Sequence, residues 1–443
     1  MRPVDAKVQN RSAAKIVIVT GASLSLNPRA FKEALALARA GFAVTVLGAS
    51  ARDSQRDADE VLARQSGFVF RSVAAPLPAA SCVGRALSWP RIRGRLGRDL
   101  FRYLGVENRW QIGQYLSELL YHAKNANADY YSAHLESGLW VGEQLLRAGF
   151  RVGVDMEDWY SEDLLPETRN YRPLRLLHYL ERQLLLYGAH ATCPSYAMSE
   201  ALAREYGCAP PSVIYNAVAW SERPSIDGMQ RDRRDARVRS IYWVSQTLGE
   251  GRGLEDLFTA LRFVRHKFEI HLRGVTTAGF KSSLMARVPE DWRNNVFIHD
   301  FVSNTELLSR IAEHDIGFAG EMKYCRSRDL TITNKILQYL QCGLAVVASD
   351  TAGHLEVAQH APNAVFIYPS GNAEALARRL DELLDSPQCL RLAKASALQV
   401  SQTFFCWERQ EDTLLEPITR LLGDKIARVE THRKTAHSSE FDV

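Results

Sequence analysis

A glycine-rich segment that contains one arginine carries the first chemical signal in the sequence. Residues 245–255 read SQTLGEGRGLE and follow SIYWV, an apolar run with the pattern of a buried strand. Backbone amides and a guanidinium at the carboxyl end of a parallel strand bind anions. The alternative interpretation is a glycine-rich turn with a solvated arginine. The candidate anion ligands of this segment are Ser245, Gly251, Arg252 and Gly253.

A second candidate for the same anion site lies in SRDLTITNKILQYLQCGLAVVAS, residues 327–349. Thr331, Thr333 or Asn334 can cap a helix that runs to Gln341, and the unpaired amides of its first turn would face a phosphate. Lys335 adds a cation to that turn, although a lysine in this position is usually only solvated. Because both loops belong to one domain, together they indicate a diphosphate site.

Acidic residues mark the first half of the chain. Asp155, Glu157 and Asp158 stand at the end of FRVGVD, which is predicted to be a buried strand over 150–155. Carboxylates in that place can orient substrate hydroxyls or take up a proton. Asp158 has a second interpretation, as the cap of a helix that would begin at WYSEDLL.

These groups can meet only if the strands that carry them end at a common edge of a sheet. The order of the predicted strands and helices satisfies this condition. Asn27 and Pro28 are predicted to start a helix over 29–40. Alternation of strands and helices predicts an α/β fold with two Rossmann-like, doubly wound parallel-sheet domains facing a central cleft. The predicted strands are 15–20, 42–47, 129–133, 150–155, 191–193, 213–215, 240–244, 268–273, 296–299, 316–319, 345–349 and 364–367.

The chain divides into six predicted segments. A turn-rich, charged stretch over 217–239 has no apolar period and is predicted to link the two domains. The other segments are a polar leader over 1–14, a first domain over 15–216, a second domain over 240–405, a terminal helix over 406–422 and a disordered tail over 423–443.

Composition argues against several classes of protein. A length of 443 residues with 46% hydrophobic residues suits two domains, and a net charge of +4 is too balanced for a nucleic-acid-binding protein. The start lacks the apolar region of a signal peptide, and no apolar run reaches the roughly 18 residues of a membrane span. Seven scattered cysteines without a CxxC pair predict reduced thiols in a cytoplasmic protein and no zinc site.

The motif VTGAS at 19–23 resembles the start of a dinucleotide-binding fingerprint. Such a fingerprint needs glycines that let the backbone approach a pyrophosphate. Ser25 and Asn27 occupy the positions where those glycines belong. The sequence therefore does not favour a nicotinamide dehydrogenase.

Positive charge is concentrated between residues 85 and 110, where seven arginines and two acids give a local charge of +5. The arginines at helical spacing have Ile92, Leu96, Leu100 and Tyr103 roughly opposite them. This pattern is typical of a basic amphipathic helix on an anionic membrane surface, and the alternative is an ordinary surface helix docked on the first domain. The arginines of the predicted stripe are Arg91, Arg95, Arg98 and Arg102.

Together these segments resemble the GT-B-fold glycosyltransferases of the large retaining family called group 1, or family four, over residues 15–410. NPRAFKEALALARAGFAVTVL is similar to part of that family's amino-terminal unit, and ADYYSAHLESGL and VGVDMEDWYSEDL are similar to two of its cleft loops. SQTLGEGRGLEDL resembles its phosphate-binding loop, and NKILQYLQCGLAVVASDTAGHLEV resembles its nucleotide-binding helix and following strand. CWERQ resembles the start of its terminal helix, which crosses back onto the first domain.

The resemblance implies transfer of a sugar, with retention, from a nucleotide diphosphate sugar held by the second domain to a hydroxyl acceptor held by the first. Arg252 and Lys335 would neutralise the donor diphosphate without an obligatory metal ion, and residues 331–334 would support it. The resemblance implies no cofactor besides this donor substrate and no metal site. The residues placed at the acceptor side of the cleft are His134, Asp155, Glu157, Asp158, Asn27 and Arg29.

Three positions depart from the family pattern. Leu330 and Gln338 stand where the family has two glutamates, the second of which binds the donor ribose, and Gln338 can still accept one hydrogen bond. Met156 lies between two acids where the family often has a histidine. These departures keep two alternatives open, a sugar epimerase and a non-catalytic nucleotide-sugar-binding protein.

The predicted acceptor is a glycan or a lipid-linked glycan in cell-surface polysaccharide assembly. A lipid-linked acceptor would place a cytoplasmic enzyme at the inner face of the membrane, where the basic segment could bind anionic lipid. Nucleic acid is not a predicted partner.

Overall fold

The computed structural model of the chain describes residues 13–50, 53–74, 89–235, 237–249 and 251–423. Most of the predicted leader, nearly all of the predicted tail and residues 85–88 of the basic segment lie outside the described residues.

A seven-stranded parallel sheet with the order β3-β2-β1-β4-β5-β6-β7 forms the first domain. Its strands are β1 (Lys15–Val19), β2 (Ala43–Gly48), β3 (Val69–Ser72), β4 (Tyr130–His134), β5 (Val152–Asp155), β6 (His190–Cys193) and β7 (Ser212–Val213). The helices are α1 (Pro28–Arg39), α2 (Asp53–Gln65), α3 (Trp89–Leu104), α4 (Leu116–Ala126), α5 (Leu135–Arg147), α6 (Pro166–Arg169), α7 (Leu174–Tyr187) and α8 (Tyr196–Tyr206). The strand order reverses between β1 and β4, and α/β sheets bind ligands at such a point.

The second domain repeats this plan with a six-stranded parallel sheet of order β10-β9-β8-β11-β12-β13. Its strands are β8 (Ser240–Thr247), β9 (Glu269–Val275), β10 (Val296–His299), β11 (Ile316–Ala319), β12 (Ala345–Ser349) and β13 (Val365–Tyr368). Its helices are α9 (Leu254–Ala260), α10 (Ala278–Ala286), α11 (Asn304–Ala312), α12 (Arg326–Leu330), α13 (Asn334–Cys342), α14 (Ala352–His360), α15 (Ala373–Asp385), α16 (Pro387–Thr403) and α17 (Glu411–Leu422). Here the order reverses between β8 and β11.

The predicted α/β class with two doubly wound parallel sheets is confirmed. Local sequence signals explain several element ends. Asn27 caps α1 by accepting a hydrogen bond from the amide of Ala30, and Pro28 is the first helical residue. Gly343 ends α13 in the left-handed conformation that glycine adopts readily. The strand β3 was not predicted, because its residues alternate and Val69 is exposed at the edge of the sheet.

The last helix of the described chain packs against the first domain. Trp407, Leu414 and Ile418 share a buried core with Ile16 of β1 and Leu37 of α1. The chain therefore returns to its first domain after it completes the second, as the family resemblance implies.

The segment over 217–239 is attached to the second domain. Asp227 accepts hydrogen bonds from the guanidinium of Arg310 at 3.0 and 3.1 Å. The carboxylate of Glu313 accepts the amides of Arg231 and Asp232, both at 2.8 Å. The predicted linker is therefore a fixed layer over part of its length, which its low apolar content did not indicate.

Under this layer, one face of the second sheet is polar and buried. Glu269, His271 and Arg273 alternate along β9 with apolar residues that face the other side. The imidazole Nδ1 of His271 lies 2.9 Å from Nε2 of His299, and the two rings are parallel within 2°. The ring of His314 lies 4.6 Å from that of His271, between centroids. Three imidazoles thus lie together, and Asp232 of the segment contacts two of them, His299 and His314.

Acidification is expected to destabilise this histidine cluster. Burial lowers the pKa of His271 to about 2 and that of His314 to about 4, and it also lowers the pKa of His299. Unfolded histidines titrate near 6.5, so stability that depends on neutral rings is complete above that pH and is lost as pH falls below it. Each ring contributes up to about 1.4 kcal/mol per pH unit. Thermal unfolding followed by circular dichroism from pH 8 to pH 5 measures the loss.

The variant His271→Gln should show a smaller loss of melting temperature between pH 7 and pH 5 than the natural chain. His266→Gln is the matched control, because His266 is exposed and pairs with Asp385 outside the cluster. An identical loss of melting temperature between pH 7 and pH 5 in the natural chain and in His271→Gln would contradict the expected effect of acid on the histidine cluster.

Candidate active site

The glycine-rich loop lies directly against the end of β11. Gly253 has a φ of +77°, and a β carbon at this position would lie 1.8 Å from the carbonyl oxygen of Gly320. Only glycine can bring the loop so close to the neighbouring strand. Arg252, the residue before Gly253, donates a hydrogen bond to the hydroxyl of Ser245 near the end of β8. Ser245, Gly251, Arg252 and Gly253 therefore share one edge of the second sheet.

Lys335 extends from the first turn of α13 toward the same edge. It is buried, and its ammonium forms an ion pair with the carboxylate of Glu321 and lies 5.0 Å from the centre of the Trp243 ring. Burial alone would raise the pKa of Glu321, but Lys335 and Arg328 hold that pKa down at about 2. Glu321 is therefore an anion that helps to hold the lysine in place.

Arg328 is a cation of this site that sequence reasoning missed. Its Nε donates to the hydroxyl of Tyr324 at 3.2 Å. Burial and the positive charges of Arg252 and Arg328 lower the pKa of Lys335, although Glu321 acts in the opposite direction. Lys335 and Arg328 thus act on one buried carboxylate, and Arg252 lies close enough to act on Lys335. The excess charge of these three cations of the second domain suits a diphosphate. In the sequence, Arg328 lies in the short basic segment RSRDL. This segment matches no recognisable motif, so it did not single out Arg328.

The other predicted donor ligands surround the start of α13. Thr333 precedes the helix with extended backbone, and no side chain caps the helix there. Thr331 donates to the carbonyl of Ser327 at 2.7 Å, and Asn334 accepts from the side-chain amide of Asn216 at 2.7 Å. Gln338 is partly buried one turn further on. These residues line the amino terminus of α13, and Asn334 also contacts the segment between the domains.

Leu330, which stands where the family has the first of two glutamates, contacts the first domain. Its side chain packs against the core of the first domain, and its carbonyl accepts the hydroxyl of Ser195 at 2.6 Å. Leu330 is thus an interdomain contact, so an apolar residue fits this position and a glutamate would be buried there.

Across the cleft, a buried charged network joins α1 to the ends of β4 and β5. The guanidinium of Arg29 forms two hydrogen bonds of 2.6 Å with Asp155 and a third, of 2.8 Å, with the carbonyl of Ile214. His134, at the end of β4, is fully buried. Its Nδ1 lies 3.0 Å from Glu157, and its Nε2 lies 2.7 Å from Glu33.

Glu157 is also held by Asn27, whose side-chain amide donates to the same carboxylate oxygen at 2.9 Å. All of the predicted acceptor-side residues except Asp158 therefore belong to one connected network. His134 and Asp155 are buried, at 0% and 3% exposure, and their role at the acceptor side stays a prediction. Glu157 is the more exposed member, at 15% of its side chain.

Charge balance sets the protonation of this network. Burial would lower the pKa of His134, but Glu33, Glu157 and Asp155 raise it to about 10. Burial would raise the pKa of Asp155, but Arg29 and His134 lower it. Two cations, Arg29 and the His134 imidazolium, thus face three carboxylates, and one negative charge remains at the cleft.

The same groups are the one set of described residues spaced to hold a metal ion, since donor atoms of His134, Asp155 and Glu157 lie within 4.8 Å of one another. Arg29 already engages both oxygens of Asp155, and carboxylates engage both nitrogens of His134. A proton on His134 accounts for this spacing, and we assign no metal ion to it.

Asp158 faces the second domain. Burial, together with Asp163, raises its pKa to about 7, although Arg328 across the cleft acts in the opposite direction. It caps no helix, because Trp159 is the residue that precedes the next helical turn, over Tyr160–Glu162. The alternative interpretation of Asp158 as a helix cap is therefore wrong, and the residue lies between the acidic network and the cationic site.

The two walls of the cleft touch around this point. The amide of Trp159 donates to the hydroxyl of Ser327 at 3.0 Å, and the guanidinium of Arg326 lies 4.3 Å from the centre of the Trp159 ring. The carboxylate of Glu356 accepts the amides of Tyr196 and Ala197. These contacts hold the cationic and acidic sites opposite each other.

Comparisons with known proteins agree with this architecture. Residues 239–386 match the family described as glycosyl transferases group 1. The structure is similar to that of HepE from Anabaena, solved in complex with UDP and glucose, with a TM-score of 0.66 and 16% identity over 92% of this chain and 100% of that one. A search of curated proteins found no match.

Two synthases show the same similarity. Sucrose-phosphate synthase from Thermosynechococcus elongatus aligns with a TM-score of 0.66 and 13% identity, over 96% of this chain and 100% of that one. A UDP-forming α,α-trehalose-phosphate synthase from Burkholderia xenovorans aligns with a TM-score of 0.64 and 15% identity, over 93% and 100%. The predicted GT-B fold is confirmed, and the resemblance to group 1 is confirmed for the second domain.

Proposed function

We propose that this chain, whose second domain matches the group 1 glycosyl transferases, moves a sugar from a nucleotide diphosphate sugar to a hydroxyl acceptor with retention. The observation that carries the proposal is the cluster of three cations, Arg252, Arg328 and Lys335, in the second domain, opposite a negatively charged network in the first domain. The cations would bind the diphosphate, and the acidic side would bind the hydroxyl.

In the proposed reaction, the bond between the anomeric carbon and the diphosphate oxygen breaks while the acceptor oxygen bonds to the same face of that carbon. The acceptor proton passes to the departing phosphate, so no carboxylate of this chain need act as a nucleophile. Three fixed cations stabilise the negative charge that develops on the diphosphate. We propose that they do so without a metal ion.

Each domain would supply one substrate. Backbone amides at the start of α13 would support the diphosphate, and Gln338 would accept a hydrogen bond from the ribose. Glu157 and Asp158 would orient the acceptor hydroxyl, because they are the members of the acidic group nearest the cleft. HepE was solved with UDP and glucose, so UDP-sugars are the first donors to test.

A thermal-shift screen of UDP, GDP, ADP and dTDP and their sugars tests donor binding. One nucleotide should raise the melting temperature, since a ligand at 100 times its Kd adds about 2.7 kcal/mol. Arg252→Ala and Arg328→Ala should lose this shift, and Arg252→Ala should keep the unliganded melting temperature. A folded protein that none of these nucleotides stabilises would contradict the proposal.

We propose further that the acceptor is a glycan or lipid-linked glycan in cell-surface polysaccharide assembly, presented at the inner face of the membrane. The basic helix α3 supports this. Its buried side contains Gly94 and Gly97, and Arg95, Arg98 and Arg102 are exposed. Leu96 and Tyr103, which were expected opposite the arginines, are exposed beside them, at 48% and 74%. The side chain of Arg91 lies outside the described part of the structure.

The helix also lies near the cleft. Gly97 contacts Trp110, and Gly113, shortly after it, lies against Ser137 in the first turn of α5, which follows the end of β4. A membrane bound to α3 would therefore lie beside the acceptor side of the site. Among the described residues, no helix is long and apolar enough to cross a membrane.

Reversal of the arginine charges tests membrane binding. The natural chain should sediment with anionic liposomes, and the variant with Arg91, Arg95, Arg98 and Arg102 all changed to Glu should not, because each basic residue near such a surface contributes about 1 kcal/mol. A control changes the exposed residues Arg378, Arg391 and Arg420 to Glu and should still bind. Failure of the natural chain to sediment, or equal binding by both variants, would exclude the membrane role.

A further inference from the structure

Glu33 is a buried carboxylate that no sequence pattern singled out. It stands one helical turn after Arg29 in α1 and is 5% exposed. Its carboxylate lies 2.7 Å from Nε2 of His134. Because Glu33 lies behind the imidazole, on the side away from Glu157, it cannot contact a substrate and can act only through His134.

His134 links Glu33 to the cleft. With carboxylates at hydrogen-bond distance from both ring nitrogens, both nitrogens must donate, and only the imidazolium can do that. Its Nδ1 then donates to Glu157, which receives a second bond at the same oxygen from Asn27. Two bonds on one oxygen orient the carboxylate, and the other oxygen remains to receive a hydroxyl.

We propose that Glu33 is a positioning residue that keeps His134 doubly protonated and thereby holds Glu157 toward the acceptor. This inference rests on the proposed glycosyl transfer and extends it to a line of three residues, Glu33–His134–Glu157, that crosses from α1 to the cleft. Its consequence is that the acceptor side works only while His134 carries its proton.

The charges that face His134 come from every element around it. Glu33 lies on α1, Asp155 ends β5 and Glu157 follows it. Arg29 of α1 acts on His134 through Asp155, and His190 at the start of β6 is near the same carboxylates, Glu33 and Asp155. Ser132 of β4 adds a neutral hydroxyl 3.3 Å from Nε2. Of the charged neighbours, Glu33 is the carboxylate at the shortest hydrogen-bond distance. Its removal should therefore let the imidazole lose its proton at a much lower pH.

The test uses Glu33→Gln, which keeps the shape of the side chain and removes the charge. In the natural chain kcat should remain level up to about pH 9, and in the variant it should begin to fall at least about one pH unit lower. At pH 9.5 the variant should be at least about threefold slower, with the KM for the donor unchanged because the donor site is in the other domain. Glu33→Asp, which restores the charge, should recover part of the shift.

A second measurement does not depend on turnover. Nitrogen-15 NMR of histidine-labelled natural chain, with the signal of His134 assigned through His134→Asn, should show both ring nitrogens protonated at pH 8. In Glu33→Gln, the ring should lose its second proton at a pH at least about one unit lower than in the natural chain. Glu143→Gln is the matched control, because Glu143 is a buried helical glutamate of the same domain that bonds Tyr179 and not the network.

The outcomes separate this inference from the proposed function. A neutral His134 at pH 8 in the natural chain overturns the role of Glu33, whether or not sugar transfer occurs. If the kcat of folded Glu33→Gln falls at the same alkaline pH as that of the natural chain, the role of Glu33 is also overturned. Absence of transfer with the expected NMR result contradicts the proposed function and leaves the charge assignment intact.

Discussion

Replacement of Lys335 with methionine is expected to abolish donor binding and to destabilise the second domain by about 3–5 kcal/mol. The destabilisation follows because Glu321 is buried beside the lysine and would lose its ion pair. The donor would lose one of its three cations, which should weaken binding at least about 100-fold. Chemical denaturation measures the first effect, and titration calorimetry with the nucleotide identified in the screen measures the second.

A double variant separates the two effects. Lys335→Met combined with Glu321→Gln removes both charges, so stability should return to within about 1 kcal/mol of the natural chain, but donor affinity should stay low. Lys394→Met is the matched control, since Lys394 pairs with Asp315 away from the cleft and is partly exposed. If the double variant regained donor affinity, Lys335 would be a structural residue and not a donor ligand.

Gly253→Ala is expected to have the second large effect. A β carbon would lie 1.8 Å from the carbonyl oxygen of Gly320, and the φ of +77° adds strain for any other residue. Backbone atoms on both sides must move, so the loop should leave the end of β11 at a cost of at least about 2 kcal/mol. Donor binding should fall at least about tenfold, because Arg252 moves with the loop. Denaturation and calorimetry again provide the measurements.

Gly249→Ala, in the same loop, is the control. A β carbon there meets no atom within 4 Å, so both stability and donor affinity should remain near those of the natural chain. Equal effects of the two substitutions would show that the loop is sensitive to any substitution. A neutral Gly253→Ala would contradict the close packing of Gly253 on Gly320.

Much of the framework was predictable from the sequence because parallel strands are continuous apolar runs. KIVIVT, SIYWV and LAVVAS each gave a strand, and Asn27, Pro28 and Gly343 fixed helix ends through local chemistry. The strand β3 was missed because an edge strand is only partly buried. The attachment of residues 227–235 was missed because its contacts are ion pairs and hydrogen bonds between residues distant in sequence, which leave no local pattern.

The residues of the site were predictable where a loop has a recognisable local sequence pattern. Arg252 stands between glycines, and Lys335 follows a capping position, so both were candidates. Arg328 and Glu321 had no such signal, because their roles come from the packing of α12 and the end of β11 near α13. Glu33 is hidden for the same reason, since it lies 101 residues from the histidine that it contacts.

Sequence reasoning was weakest in predicting which side chains are exposed to solvent. It assigned His134 and Asp155 to the acceptor side of the cleft, but it could not show that they are more deeply buried than Glu157. It also placed Leu96 and Tyr103 opposite the arginines of the basic helix, although both are exposed and the glycines Gly94 and Gly97 occupy the buried side. Burial depends on neighbours that are distant in sequence.

The most direct test of the central claim is nucleotide diphosphate release in the presence of an acceptor. The purified chain is incubated with each nucleotide sugar, with and without membrane extract, and the released diphosphate is measured. We predict release from one donor that requires the extract, lost in Lys335→Met/Glu321→Gln, with a product whose anomeric configuration by NMR is that of the donor. Donor binding that Arg252→Ala abolishes, without release under any condition, would contradict a transferase and indicate a binding protein. Release or epimerisation without an acceptor would contradict it in favour of an epimerase.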